Sequence, residues 1–246
     1  MKRIIPVILL ICALTFAIYN YTERGIRLVS IGDSLAKGLG PYGITGLGYS
    51  DFVKKHLEEN NKLRSYNKSF AIANYRSTDL IRDITNNKAK KIDGNTVKIQ
   101  NIIHESDVLL ISIGANDIFY KLGVKEKQVE LLSDDRILEY IDQTIDDLNH
   151  LYELISKYAR NQVIVIGYYN PLTKYSIPNI DEKIKYANNE LKKLCIIHNF
   201  TFIDTYHIFK NNPDFLPNPR DVHPSKLGYQ AIAKLIIAEI ERNIKR

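Results

Sequence analysis

A chain of 246 residues with 45% hydrophobic and 25% charged side chains holds enough apolar material for one sizeable core. Its 34 basic against 28 acidic side chains leave a formal charge of +6, which favours encounters with anionic membranes, teichoic-type polymers or acidic substrates. The lysines are scattered, no basic run interleaves with aromatics and no zinc-finger spacing occurs, so composition argues against a nucleic-acid partner.

In chain order, Lys2 and Arg3 come first, followed by an apolar stretch from Ile4 to Tyr19 that only Pro6 and Thr15 interrupt. A positive flank before a short apolar run is the pattern of an export signal. The run falls short of the roughly 20 residues that span a bilayer comfortably. Residues 1–25 are therefore expected to be a signal peptide or N-terminal membrane anchor with a short tether. Membrane contact would run through residues 4–19, and the protein would sit at the extracellular face of a bacterial membrane or be secreted. Cys12 lacks the small preceding residue that a lipoprotein signal wants, because Ile11 stands there. Cys12 and Cys195 are not expected to pair, and Cys195 reads as a small core residue.

From residue 26 onward, apolar β-rich runs alternate with amphipathic segments. Five runs are expected to be buried strands: Arg27–Ile31, Ser69–Ala73, Asp107–Ile113, Gln162–Gly167 and Phe200–Ile203. The clearest helical face carries Ile137, Ile141, Ile145, Leu148, Tyr152, Ile155 and Ala159 at steps of three and four. Further helices are expected from about residue 181 to 198 and from about 225 to 240. This alternation predicts one α/β domain over 26–246, with a parallel sheet covered by helices on both faces. Functional residues of such sheets collect in loops at the carboxyl ends of the strands.

The chemically suggestive residues do follow predicted strands. The first strand runs into Gly32-Asp33-Ser34-Leu35, a tight turn that points a hydroxyl into a cleft or, alternatively, merely caps the next helix. The third runs into Gly114-Ala115-Asn116-Asp117, where the Asn116 amide is a candidate donor to an oxyanion and otherwise a turn former. Near the C-terminus, Asp221-Val222-His223-Pro224 sets an imidazole in a turn. A serine needs such a base, and a neighbouring carboxylate would fix the base's tautomer. His56, His104, His150, His198 and His207 lie in or beside amphipathic segments without metal-ligand spacing, which points to surface or boundary roles.

Taken in this order, Gly32-Asp33-Ser34-Leu35, Gly114-Ala115-Asn116-Asp117 and His223-Pro224 resemble the GDSL/SGNH hydrolase superfamily, in particular its bacterial secreted or membrane-tethered lipase/acylhydrolase branch. The resemblance implies a flavodoxin-like three-layer α/β/α sandwich with a central parallel five-stranded sheet and an open site. It also implies a serine esterase with Ser34 as nucleophile and His223 as general base, needing neither metal nor organic cofactor. The oxyanion hole would comprise the Ser34 amide, the Asn74 amide and Asn116, with Gly32, Asp33 and Gly114 in support. Two positions depart from the superfamily pattern. A glycine is usual where Asn74 stands, although Asn tolerates left-handed backbone better than other side chains do. The usual acid lies three residues before the histidine, where this chain has Arg220; Asp221, two before, is the candidate, against a backbone carbonyl near Arg220 and a serine–histidine dyad.

Gly38-Leu39-Gly40-Pro41-Tyr42-Gly43 spells a dinucleotide fingerprint but does not join strand directly to helix, so it reads instead as a flexible wall of the substrate cleft. The loops Ile118–Arg136 and Tyr168–Ile180 are expected to edge the cleft, with Tyr168, Tyr169 and Tyr175 stacking on sugars, lining an acyl groove or simply packing. Three readings follow: an esterase of lipid or small acyl esters, a deacetylase of O-acetylated cell-envelope glycans, and a catalytically silent binding domain.

Overall fold

The computed structural model describes residues 25–123, 133–171 and 179–244. Five parallel strands form the central sheet: β1 (Ile26–Gly32), β2 (Leu63–Asn67), β5 (Val108–Ser112), β6 (Gln162–Ile166) and β7 (Thr201–Ile203), in the spatial order β2-β1-β5-β6-β7. All five residues of β5 are buried, as expected of a central strand covered on both faces. The helices are α1 (Ser34–Lys37), α2 (Tyr49–Glu59), α3 (Ser77–Thr85), α4 (Ile99–Glu105), α5 (Ala115–Lys121), α6 (Asp134–Ser156), α7 (Ile180–Ile197), α8 (Tyr206–Lys210) and α9 (Lys226–Ile244).

Strand side chains alternate between two cores. Val29, Ile31, Leu109, Ile111, Val163 and Val165 pack under α3, α4, α6 and α7, whereas Leu28, Val108, Leu110, Ile164 and Ile166 pack under α2, α8 and α9. This two-sided burial makes the three-layer α/β/α sandwich, so the fold class expected from the sequence is the one observed. The predicted helical faces also reappear. In α6, Ile137, Ile141, Leu148, Tyr152 and Ile155 are buried together with Thr144 and Leu151, and Ser133 caps the helix by accepting from Arg136 N–H.

Several elements differ from expectation. The second strand is Leu63–Asn67, and Ser69–Ala73 is a turning segment that touches the sheet through a single bridge, Gly32 to Ala71. Phe70 is fully buried and Ala71 nearly so, which explains the apolar run. β2 is an edge strand with exposed Arg64 and Ser65, so nothing in its sequence alternates cleanly. An unforeseen antiparallel hairpin, β3 (Ala89–Ile92) and β4 (Asn95–Lys98), turns at Asp93-Gly94, both with positive φ. Asp-Gly between extended residues favours such two-residue turns. The stretch 118–121, expected to be loop, is the last part of α5. The leader expected over residues 1–25, apart from Gly25, the membrane contact of residues 4–19, Cys12 and Tyr175 fall outside the described residues. Cys195 is buried, and desolvation pushes its thiol up to about 12, consistent with a core role.

Candidate active site

The serine turn is built by backbone constraint. Gly32 ends β1 with φ 131°, and a Cβ there would lie 1.9 Å from the Ser112 carbonyl oxygen, so only glycine lets β1 and β5 approach so closely. Asp33 then caps α1, its carboxylate accepting from Leu35 N–H at 2.9 Å and from Ser112 Oγ at 3.1 Å. Asp33 is 5% exposed; desolvation pushes its carboxyl up to about 7, although the Leu35, Ser112 and Ala36 hydrogen bonds pull the other way. Beneath it, Ser112 Oγ also accepts from Tyr49 Oη at 3.3 Å, so a buried polar chain ties the turn to α2. Ser34 is the first residue of α1, and its amide donates to no acceptor among the described residues.

The C-terminal loop brings the imidazole to that serine across 189 residues of sequence. His223 Nε2 lies 2.8 Å from Ser34 Oγ, and His223 Nδ1 lies 2.5 Å from Asp221 Oδ1. The same Asp221 oxygen accepts from His223 N–H at 2.8 Å, which closes a short turn and explains how an acid two residues away reaches the ring. Neighbours secure this loop. Tyr169 Oη donates to the Val222 carbonyl at 2.8 Å while its ring stacks on Phe209 at 4.2 Å, and Asn218 accepts from Arg220 N–H. Arg220, at the position where the superfamily pattern has its acid, is exposed.

Asn116 sits in the first turn of α5 and lines the cleft beside Ser34. Its Nδ2 donates to the Tyr75 carbonyl at 2.9 Å, which leaves the second amide hydrogen for another acceptor. Asn74, the residue before that carbonyl, has φ 65°, the left-handed geometry that asparagine tolerates. It is exposed and is not among the residues lining the cleft, and its N–H donates to no acceptor among the described residues. Gly114, with φ 103°, has no room for a side chain because a Cβ would meet Tyr168 Oη at 2.3 Å.

Two further residues had no assigned role at the sequence level. Asp117, 3% exposed, accepts from Ser77 N–H at 3.0 Å and from Ser77 Oγ at 2.6 Å, fastening the start of α3 to the Asn116 turn. Burial raises its carboxyl above the ordinary range. Asp117 was visible as the last letter of Gly114-Ala115-Asn116-Asp117, but Ser77 carried no signal.

From the serine a cleft of about 930 Å³, counting its open mouth, runs into a third apolar cluster. Ile118, Phe119 and Leu122 form one wall, Ile137 and Ile141 of α6 another, and Ile180, Ile184 and Ala187 of α7 a third. Lys183 also lines it; its Nζ donates to Asp134 Oδ1 at 2.9 Å, and that bond holds the Asp134 carboxyl below its usual range. Tyr168 and Tyr169 border the cleft, but their hydroxyls are engaged by the Ile113 and Val222 carbonyls, so they pack as parts of the scaffold. The Gly38–Gly43 segment does not line the cleft as expected. It folds back through Gly40 N–H to the Ile44 carbonyl and Gly46 N–H to the Gly38 carbonyl. Each non-site histidine is engaged away from the serine: His56 with Glu241, His104 with Arg160, His150 with Glu153, His198 with Asn149 and His207 with Asp204. Among the described residues no group of three His, Cys, Asp or Glu side chains is placed to hold a metal ion.

The model of the GDSL-like lipase/acylhydrolase family matches residues 30–231, a span that includes every element of this site. The chain belongs to that family. As a GDSL-family member it is an ester-hydrolysing enzyme. It is 26% identical over 219 residues to the spore germination lipase LipC of Bacillus licheniformis, covering 87% of this chain and 95% of the relative. The fold is that of the lipase Lip_vut3 from a goat rumen metagenome, with TM-score 0.69, 24% identity and coverage of 87% of this chain and 96% of that one. It is also that of Axe2, an acetylxylan esterase from Geobacillus stearothermophilus, with TM-score 0.60, 21% identity and coverage of 88% and 94%.

Proposed function

We propose that this GDSL-family enzyme cleaves carboxylic esters through an acyl-enzyme on Ser34 and that it prefers an apolar acyl chain of several carbons. His223 Nε2 takes the Ser34 proton as the hydroxyl attacks the ester carbonyl, and Asp221 holds the ring and balances the imidazolium. The oxyanion is held by the Ser34 amide, the Asn74 amide and Asn116 Nδ2. His223 then protonates the leaving alcohol, and water, activated by the same imidazole, releases the acyl group and restores Ser34. Metal ions and organic cofactors have no part in this scheme. Its observation is the Ser34–His223–Asp221 hydrogen-bond relay opening onto an apolar cleft.

The shape of the cleft favours lipid-like esters over O-acetylated glycans. An acetyl group needs no apolar trough between three helices, and Tyr168 and Tyr169, two of the three tyrosines suited to sugar stacking, are committed to packing. Kinship with a spore germination lipase supports the same choice. A silent binding domain would need no hydrogen-bonded serine, imidazole and carboxylate. Residues 1–25 serve in this reading as an export signal or anchor, with residues 4–19 contacting membrane and the enzyme acting on the extracellular face or in secreted form.

The test is hydrolysis of p-nitrophenyl acetate, butyrate and octanoate by the full chain, its Ser34→Ala variant and its Asp221→Asn variant. Ser34→Ala should abolish turnover, activity should rise from acetate to octanoate, and Asp221→Asn should lower kcat by up to about 10⁴-fold. Unchanged turnover in Asp221→Asn would leave a dyad, and an acetate preference would favour the deacetylase reading.

A further inference from the structure

We propose that the excursion between α1 and α2, residues 38–48, is an interfacial element that seats the mouth of the cleft on an anionic lipid surface. From Gly38 to Ser50 no side chain is charged, in a chain of which 25% is charged. Six consecutive residues, Tyr42 to Leu47, are exposed, among them three large apolar side chains: Tyr42 is 70%, Ile44 74% and Leu47 57% exposed. Folding leaves their apolar surface in water, which is unfavourable unless something else covers it.

The excursion is ordered and anchored to the site. Leu39 and Thr45 bridge as a minimal antiparallel pair. Tyr229 Oη donates to the Leu39 carbonyl at 2.7 Å, and Asn218 Nδ2 donates to the Pro41 carbonyl at 2.6 Å. Asn218 belongs to the same loop as Asp221 and His223, and Leu39 N–H donates to the Ser34 carbonyl at 3.0 Å, so the excursion that carries Tyr42, Ile44 and Leu47 is tied to both segments that bear the reacting groups. Little ordering entropy remains to oppose docking of a segment already held this way.

Charge selects the partner. Arg220, two residues from the Asn218 that holds Pro41, and Lys226, three residues before the Tyr229 that holds Leu39, are both exposed and belong to no ion pair among the described residues. Aliphatic side chains with a tyrosine, on an uncharged excursion anchored by segments that carry exposed cations, suit the boundary of an anionic bilayer, where apolar groups enter the acyl region and cations meet headgroups. A second copy of this chain is disfavoured by its own +6 charge. Docking there involves no catalytic step, so its test is separate from that of ester hydrolysis.

The chain contains no tryptophan, so Tyr42→Trp in the full chain supplies a single tryptophan, excited selectively at wavelengths where tyrosine does not absorb. Ile196→Trp is the control: Ile196 is 71% exposed at the end of α7 that leads into β7, the edge strand three places across the sheet from the β1 that carries the serine turn, and the variant keeps the same N-terminal segment. Far-ultraviolet circular dichroism establishes that each variant is folded. With phosphatidylglycerol vesicles, Tyr42→Trp should shift to the blue and be quenched when the acyl chains carry bromine, whereas Ile196→Trp should do neither. Adding Ile44→Ser and Leu47→Ser to Tyr42→Trp should remove most of that quenching. An unmoved Tyr42→Trp emission, or an equal response from both sites, would overturn the proposal. A blue shift that grows with protein concentration in the absence of lipid would assign the patch to a second copy and overturn it as well.

Discussion

Asp33→Asn should remove a pH dependence of stability that the fold builds under the serine turn. The Asp33 carboxyl is 5% exposed, and its affinity for a proton rises from the ordinary 3.8 to about 7 on folding, chiefly through desolvation. The native state therefore binds this proton more tightly than the unfolded chain does. Its stabilising contribution is complete below pH 3.8 and is lost as pH rises through about 7. At about 1.4 kcal/mol per pH unit, the loss across that window amounts to at most about 4 kcal/mol. A carboxamide keeps an oxygen for Leu35 N–H and Ser112 Oγ but never ionises, so the variant should match the parent near pH 4 and exceed it by up to about 4 kcal/mol at pH 8. Urea unfolding followed by circular dichroism at pH 4, 5.5, 7 and 8.5 measures the gap. A gap that stays constant with pH, or one that narrows as pH rises, would refute the reasoning.

Further outcomes follow from the same geometry. Asn116→Ala should lower kcat by about 10²–10³-fold, the range for one lost oxyanion donor, with the fold intact by circular dichroism; loss of activity wholly explained by unfolding would remove Asn116 from that role. Ala187→Phe puts a ring among Ile184, Ile141 and Leu122, so kcat/KM for octanoate should fall about tenfold or more while acetate changes little. An equal loss on both esters would place the acyl chain elsewhere. Gly32→Ala sets a methyl group 1.9 Å from the Ser112 carbonyl at a positive φ, which should cost about 3 kcal/mol or more and lower Tm by roughly 6–12 °C. A thermal melt unchanged from the parent would show that β1 and β5 separate easily there.

How legible each part was depends on whether the signal is local or assembled. β1, β5 and β6 announced themselves because strands buried on both faces must be apolar throughout, and α6 because one face of a helix repeats every three to four residues. The edge strand Leu63–Asn67 was missed for the converse reason: half-solvated, it carries Arg64 and Ser65, while the truly buried Phe70 lies in a turn that looked like a strand. The β3–β4 hairpin turns on the local pair Asp93-Gly94, whose strands of four residues are too short and too polar to stand out as a period-two pattern.

At the site, the residue types and their places along the chain were legible locally, since Gly32, Ser34 and Asn116 stand at the very ends of regular elements and His223 lies three residues before one. Tertiary structure alone decided what those residues meet. Asp221 meets His223 through a two-residue backbone turn that lets one carboxylate oxygen reach both the ring Nδ1 and the backbone N–H. The commitment of Tyr168 and Tyr169 to backbone carbonyls, the apolar cleft between α5, α6 and α7, and the exposure of Tyr42, Ile44 and Leu47 depend on packing among segments far apart in the chain. No local pattern encodes such contacts, because burial and hydrogen-bond partners are properties of the assembled surface and not of any window of residues.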